Sequence, residues 1–277
     1  MLFKGYFINL DRSTDRRQDL ENHLLEMNLA GQYQRFAAVD GSRLAHVSQQ
    51  FKPGEVGCYK SHLDLISSLD GSCHAHIMED DARLSPKFAS IVQSIPDDVI
   101  DRFDIIFTET FVPFDLKLIQ KLLLIQEELK KSGDTRIKLL DAKNFYFAGT
   151  RSYFVGSKSI AKMKNLLALG YNNGAIHAPI DLSIRSFIRQ GKLKAAVAFP
   201  FLSGVKIYHT TTITDRAYDN DSITLHSLLI NSFVCDGDIN SILANSVQLE
   251  HKSNADQQVS IISGLTKYIL SKKISLI

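Results

Sequence analysis

The sequence predicts an α/β fold, a mostly parallel sheet with helices on both faces. Three observations carry this expectation: short apolar runs alternate with segments of helical period from Tyr6 to Pro200, turn residues bound each run, and polar residues follow the runs directly. Strands that alternate with helices in this way join through right-handed crossovers and leave their carboxyl ends along one edge, where open α/β sheets bind ligands.

The elements follow in order. Tyr6 to Leu10 is apolar and aromatic, and after the polar break Asp11-Arg12-Ser13-Thr14 the residues Leu20, Leu24 and Met27 recur at helical spacing. Phe36 to Val39 reads as a second strand closed by Asp40-Gly41. Pro53-Gly54 then opens a helix bearing Val56, Leu63, Ile66 and Leu69. The run Ala75-His76-Ile77-Met78 reads as a buried third strand and ends in Glu79-Asp80-Asp81. Beyond Pro86 come a short helix, a strand at Asp104 to Thr108, and a helix from Phe114 to Lys131 with Leu116, Ile119 and Leu123 on one face.

Phe145 to Gly149 and Ser152 to Val155 are further strand candidates, and Ser157 or Ser159 is placed to cap a helix carrying Ile160, Met163 and Leu167. Asn172-Asn173-Gly174 is a turn. Asp181 is expected as the N-cap of a helix through Phe187 and Ile188 that stops at Gly191, and Lys194 to Phe199 as a last strand ended by Pro200. From Asn220 polar segments interleave with Leu, Ile and Val, so the chain divides into a domain at 1–219 and a helical C-terminal extension at 220–277. The extension ends in Tyr268-Ile269-Leu270-Ser271-Lys272-Lys273-Ile274, a basic and apolar end suited either to peripheral contact with an anionic membrane or to docking with its lysines in water.

Composition sets broad limits. The chain has 277 residues, 44% apolar and 22% charged, with a net charge of +2, so nothing marks nucleic acid as a partner. Cys58, Cys73 and Cys235 are odd in number and form no CxxC pair, which suits reduced thiols in the cytoplasm. No secretory signal opens the sequence, and no apolar run reaches the roughly 18 to 20 residues that span a bilayer.

The acidic triplet carries the chemistry. Adjacent carboxylates raise one another's pKa unless a positive charge sits between them, and oxygen ligands of this kind suit Mg²⁺ or Mn²⁺. The functional reading is a cation that holds a phosphate-bearing substrate. The plainer reading is a solvated acidic turn closed by Arg83, which would matter little energetically. Arg12, Arg16 and Arg17 at the first strand–helix junction suit a diphosphate, with at least one of them expected to face water.

Taken together these segments resemble the bacterial lipooligosaccharide glycosyltransferases of glycosyltransferase family 25. The resemblance rests on Phe7-Ile8-Asn9-Leu10-Asp11-Arg12 with Arg16-Arg17, on Ala38-Val39-Asp40-Gly41, on Gly54-Glu55-Val56-Gly57-Cys58-Tyr59-Lys60-Ser61-His62, and on Ile77-Met78-Glu79-Asp80-Asp81-Ala82. It continues through Ala148-Gly149-Thr150-Arg151-Ser152-Tyr153-Phe154-Val155 and Pro179-Ile180-Asp181.

The resemblance implies a GT-A-like, Rossmann-like fold and transfer from a nucleotide-sugar donor, most plausibly UDP-galactose, to a lipooligosaccharide or LPS acceptor with inversion. It implies Mn²⁺ or Mg²⁺ at a DxD-like motif, with Asp81 as the foremost ligand, Glu79 at the other acidic position and Asp80 close behind. His209 is a further metal candidate. Asn9, Leu10, Asp11, Arg12, Arg16, Asp40, Gly41, Ser61, His62, Glu79 and Asp80 are expected around the donor, and Asp181 as the base that takes the acceptor hydroxyl proton. It places the enzyme in the cytoplasm, at the inner face of the bacterial inner membrane. Two other functions remain in view: a Mg²⁺-dependent phosphohydrolase, although Asp11-Arg12-Ser13-Thr14 lacks the second acid of a DxDx[TV] motif, and a non-catalytic sugar or nucleotide-binding module.

Overall fold

The computed structural model describes residues 2–44, 50–113, 115–132, 137–145, 149–206 and 220–237. The first half runs β1 (Phe3–Asn9), α1 (Thr14–Glu26), β2 (Tyr33–Ala37), α2 (Pro53–Ser68), β3 (His74–Glu79), β4 (Ala82–Leu84), α3 (Phe88–Ser94), α4 (Asp97–Ile100) and β5 (Ile105–Phe107). The second half runs α5 (Leu116–Lys131), β6 (Lys138–Asp141), β7 (Ser152–Val155), α6 (Ile160–Leu169), β8 (Tyr171–Asn172), β9 (Ala175–Ile176), α7 (Ile180–Arg189), β10 (Ala195–Phe199), β11 (Ser203–Val205) and α8 (Asn220–Ser232).

Seven strands form the main sheet in the order β2-β1-β3-β7-β5-β10-β6. β2, β1, β3, β5 and β10 run one way, whereas β7 and β6 run against their neighbours. This is the mixed, mostly parallel α/β sheet expected of a GT-A-like fold. Because β7 is antiparallel, its amino end lies at the same edge as the carboxyl ends of β3 and β5, bringing Arg151 beside Glu79, whose N–H donates to the Arg151 carbonyl at 2.7 Å.

Alternating side chains build a core on each face. Ile8, Ile77, Ile105, Tyr153 and Val197 face a core shared with α2, α6 and α7, while Phe7, Met78, Ile106, Phe154 and Ala198 face one shared with α1 and α3. The described part of the C-terminal extension joins the first core: Leu229, Ile230, Phe233 and Val234 are buried there, and Phe233 packs on Phe199 and Phe201.

Several expectations shift. β2 begins at Tyr33 and closes before Val39, because its ladder follows β1 from Gly5↔Tyr33 to Asn9↔Ala37. The expected strand at Phe145–Gly149 falls mostly on 146–148, outside the described residues, and neither Phe145 nor Gly149 is in a strand. A strand at β6 takes the sheet edge instead, paired antiparallel to β10. β4 and β11, unforeseen, pair as a small separate ribbon. Ser159 is the N-cap of α6 but makes no side-chain cap bond, since its hydroxyl donates to Asp104 Oδ1 at 2.7 Å.

Asp181 is not the N-cap of its helix. Pro179 holds that position, and Asp181 lies in the first turn. There its charge still meets the positive end of the helix dipole. The turn at 172–174 closes the β8–β9 hairpin with Asn173 and Gly174 both at positive φ, 44° and 85°.

Candidate functional site

The strand exits at one sheet edge deliver most of the expected residues. Asn9, the last residue of β1, is fully buried and acts as a hub: its Nδ2 donates to Asp80 Oδ2 at 2.8 Å and to the Ser13 carbonyl at 3.0 Å. Its Oδ1 accepts from Arg35 Nε at 3.0 Å. Arg16, in the first turn of α1, donates to the other oxygen of Asp80 at 2.9 Å. Asp80 is therefore clamped from both sides. Burial still pushes its carboxyl up to about 6, aided by Asp81 and Glu79 and opposed by Arg16 and Asn9.

The three acids leave β3 toward three different partners. Glu79 Oε1 accepts from Thr150 Oγ1 at 3.0 Å and lies 3.5 Å from His62 Nε2. Against its burial, His62, Arg151 and Thr150 hold its carboxyl well below the usual range. Asp81 Oδ1 lies 3.2 Å from Arg151 Nε, and Arg151 Nη1 reaches Glu109 Oε2 at 3.1 Å. Glu109, just beyond β5, is 1% exposed, and burial pushes it up to about 7 although Arg151 opposes this.

The solvated-turn reading fails on this geometry. Arg83 pairs with Asp19, and the arginines that neutralise the triplet are Arg16 and Arg151.

Residues 149–151 tie the site together. The Gly149 N–H donates to Asp181 Oδ2 at 3.2 Å, Thr150 bonds Glu79, and Arg151 spans Asp81 and Glu109. Asp181 is thus connected to the triplet through three consecutive residues. Thr150, Arg151, Glu109 and Arg35 were not foreseen. The signals for Thr150 and Arg151 were their place in the segment Ala148-Gly149-Thr150-Arg151-Ser152-Tyr153-Phe154-Val155 that carries the resemblance and, for Arg151, a cation at the mouth of the apolar run Tyr153-Phe154-Val155.

Other expected donor residues have different employment. Arg12 pairs with Asp40, whose carboxyl is lowered first by the Ser42 hydroxyl, and Asp40 also accepts from the Ser42 N–H. Asp11 is 81% exposed at its side chain and bonds Arg35. Arg17 pairs with Glu21 along the outer face of α1. Leu10 is half-buried, and its carbonyl accepts from the Ser13 N–H.

Gly41 is buried against α2. A Cβ there would lie 1.6 Å from the Pro53 carbonyl oxygen, and one on Gly57 would lie 2.6 Å from that of Val39. Ser61 is buried too: its hydroxyl accepts from the Val39 N–H at 2.8 Å and donates to the Gly57 carbonyl at 2.7 Å. Gly41 and Ser61 therefore seat the Asp40 loop on α2. His209 lies outside the described residues.

The donor set fits a hard divalent cation. Asp81 Oδ1 is buried and makes no hydrogen bond of good geometry, its one near neighbour being Arg151 Nε at 3.2 Å, so it has room to turn toward a cation. Glu79, Asp80, Asp81 and Glu109 gather around two guanidiniums, Arg16 and Arg151, and the upward push on Asp80 and Glu109 is what a bound cation would relieve. Among the described residues, the side chains whose ligand atoms lie within 4.8 Å of one another are Cys58, His62 and Glu79. No helix among the described residues is long and apolar enough to cross a membrane.

The sequence model of glycosyltransferase family 25 (LPS biosynthesis protein) matches residues 3–183, a span that runs from β1 to the first turn of α7 and holds the site residues described above other than His209. No curated protein matches the chain.

Proposed function

The chain belongs to glycosyltransferase family 25, and from that membership in LPS biosynthesis we propose an inverting hexosyltransferase that moves galactose from UDP-galactose onto a lipooligosaccharide or LPS acceptor. One observation supports this reading above the others: Asn9, Arg16, the acidic triplet and residues 149–151 meet at a single strand-exit edge, where open α/β sheets take nucleotides. The cytoplasmic face of the inner membrane, where such an acceptor is presented, is the proposed site of action.

Each residue has a physical task. Asn9 and Arg16 fix Asp80, so the acids at the mouth are held in place before a donor arrives. Arg12 and Arg16, near the start of α1, offer guanidinium forks and a helix N-terminus to the diphosphate. Asp81 with Asp80 would hold Mn²⁺ or Mg²⁺, which when bound offsets charge on the departing nucleoside diphosphate; His209 is proposed as a further ligand.

Asp181 is the proposed base. It takes the proton of the acceptor hydroxyl as that oxygen attacks the anomeric carbon from the face opposite the leaving group. Its bond from the Gly149 N–H occupies Oδ2 alone and fixes the carboxylate's direction. The hydrolase alternative finds no support here, because Asp11 is exposed and engaged by Arg35.

The test is incubation with a panel of nucleotide sugars and Mn²⁺, with and without a lipooligosaccharide acceptor. Acceptor-dependent release of nucleoside diphosphate, greatest with UDP-galactose, is the expected result. Metal-dependent nucleotide binding without turnover would make the chain a binding module. Asp81→Asn is expected to lower transfer by about 10²-fold. Asp181→Asn is expected to abolish turnover while donor binding persists; a loss that tracks a lower Tm would assign Asp181 to the helix start instead.

A further inference from the structure

Cys58 and His62 are four residues apart on α2, so their side chains share one face of the helix, and that face meets Glu79 at the end of β3. The Cys58 thiol, the His62 imidazole and the Glu79 carboxylate lie within 4.8 Å of one another. His62 is 0% exposed, and its Nε2 is buried with no hydrogen-bond partner although it lies 3.5 Å from a carboxylate oxygen. At 3.5 Å the carboxylate attracts this nitrogen but makes no hydrogen bond with it, and a cation between the two would satisfy both.

We propose that Cys58, His62 and Glu79 form a binding site for a zinc-class divalent cation, separate from the cation that holds the donor diphosphate. The donor atoms choose the metal. A thiolate and an imidazole favour Zn²⁺ over Mg²⁺ or Mn²⁺, and three protein ligands leave the fourth tetrahedral position for water.

Both inner ligands already have the outer partners that metal sites use. His62 Nδ1 meets the Tyr153 hydroxyl at 2.8 Å, so a ring N–H donated there leaves Nε2 with its lone pair toward the site. Thr150 steadies the Glu79 carboxylate in the same way. Tetrahedral ligands at zinc distances are about 3.5 Å apart, so closing on the cation takes movements of about 1 Å. Binding replaces the thiol S–H bond by a sulfur–metal bond and releases that proton to solvent.

The site would pin α2 to β3 and commit Glu79, leaving Asp81 with Asp80 for the donor cation. That division explains why the three acids of one turn face three different partners.

The test uses the full chain, stripped by a chelator and titrated with Zn²⁺ alone against a chromogenic competitor, with Co²⁺ as a spectroscopic probe. One tightly bound equivalent is expected, with a thiolate-to-cobalt charge-transfer band. Cys58→Ser should abolish the band and weaken zinc by at least about 10- to 100-fold, the loss that outer-sphere changes alone produce. Tyr153→Phe should weaken it about 10-fold, and Asp81→Asn should leave it unchanged.

Absence of a bound equivalent in the stripped wild type would overturn the site and leave His62 and Glu79 as a histidine–carboxylate contact. Zinc binding that survives Cys58→Ser but is lost in Asp81→Asn would overturn it as well. Cys58 is only half-buried, so its variant reports on the site even where a His62 variant fails to fold. No sugar donor enters the measurement, so its failure leaves the transferase reading standing, and failure of transfer leaves the zinc site standing.

Discussion

Arg151 lies among three carboxylates, Glu109, Asp81 and Glu79. Its guanidinium lies between Asp81 and the fully buried Glu109, and those carboxylates push its pKa above the ordinary arginine value despite burial. Removing it strands a buried acid. Arg151→Gln is expected to cost about 3 kcal/mol in urea unfolding, and the double variant with Glu109→Gln should recover part of this. Additive losses in that cycle would show that the two side chains do not act as a pair.

His76 illustrates the opposite case, a titratable group the site does not use. It sits between the Tyr33 hydroxyl at 2.6 Å and Ser152 Oγ at 3.0 Å, and burial lowers its pKa to about 3. The native state refuses a proton that the unfolded chain accepts near pH 6.5. Its contribution is therefore intact above about 6.5 and falls by up to about 1.4 kcal/mol per pH unit below it. Unfolding measured at pH 7, 6 and 5 should give a flatter acid limb for His76→Gln than for the wild type, and parallel limbs would exclude this role.

At the scale of elements, α2 does the most to shape the site. Its Gly57 meets Gly41 backbone to backbone, its Ser61 bridges the Val39 N–H and the Gly57 carbonyl, and its Cys58 and His62 face Glu79. Gly57→Ala would press a methyl into the Val39 carbonyl and should lower stability by about 1 to 3 kcal/mol. Arg12–Asp40 pairing would loosen with it. A thermal scan showing an unchanged Tm would mean that the Asp40 loop stands further from the helix than described.

For the whole molecule, the sheet order separates sequence neighbours and joins distant ones. β7 enters between β3 and β5, so residues 149–151 complete a site begun by Asn9 and Glu79. Phe233, the residue directly after α8, closes the core shared with α2, α6 and α7 and is 0% exposed against Phe199 and Phe201. Phe233→Ala is expected to destabilise the chain by about 3 to 5 kcal/mol in urea unfolding, and a change under 1 kcal/mol would make α8 an appendage.

The sequence by itself determined the α/β class, the order of the long strands and helices, and the placing of Asn9, Asp40 and the acids at or just past strand ends. These are local properties, set by apolar periodicity and turn residues within a dozen positions. β6 was hidden because an edge strand of four residues with two leucines carries little pattern, and β4 and β11 are only three residues each. Tertiary structure alone decided which charge answers which. Asp81 meets Arg151 from 70 positions away, Asp80 meets Arg16, and Glu79 meets His62. Coulombic and hydrogen-bond partners are chosen by proximity in space, which strand order fixes and no local pattern encodes.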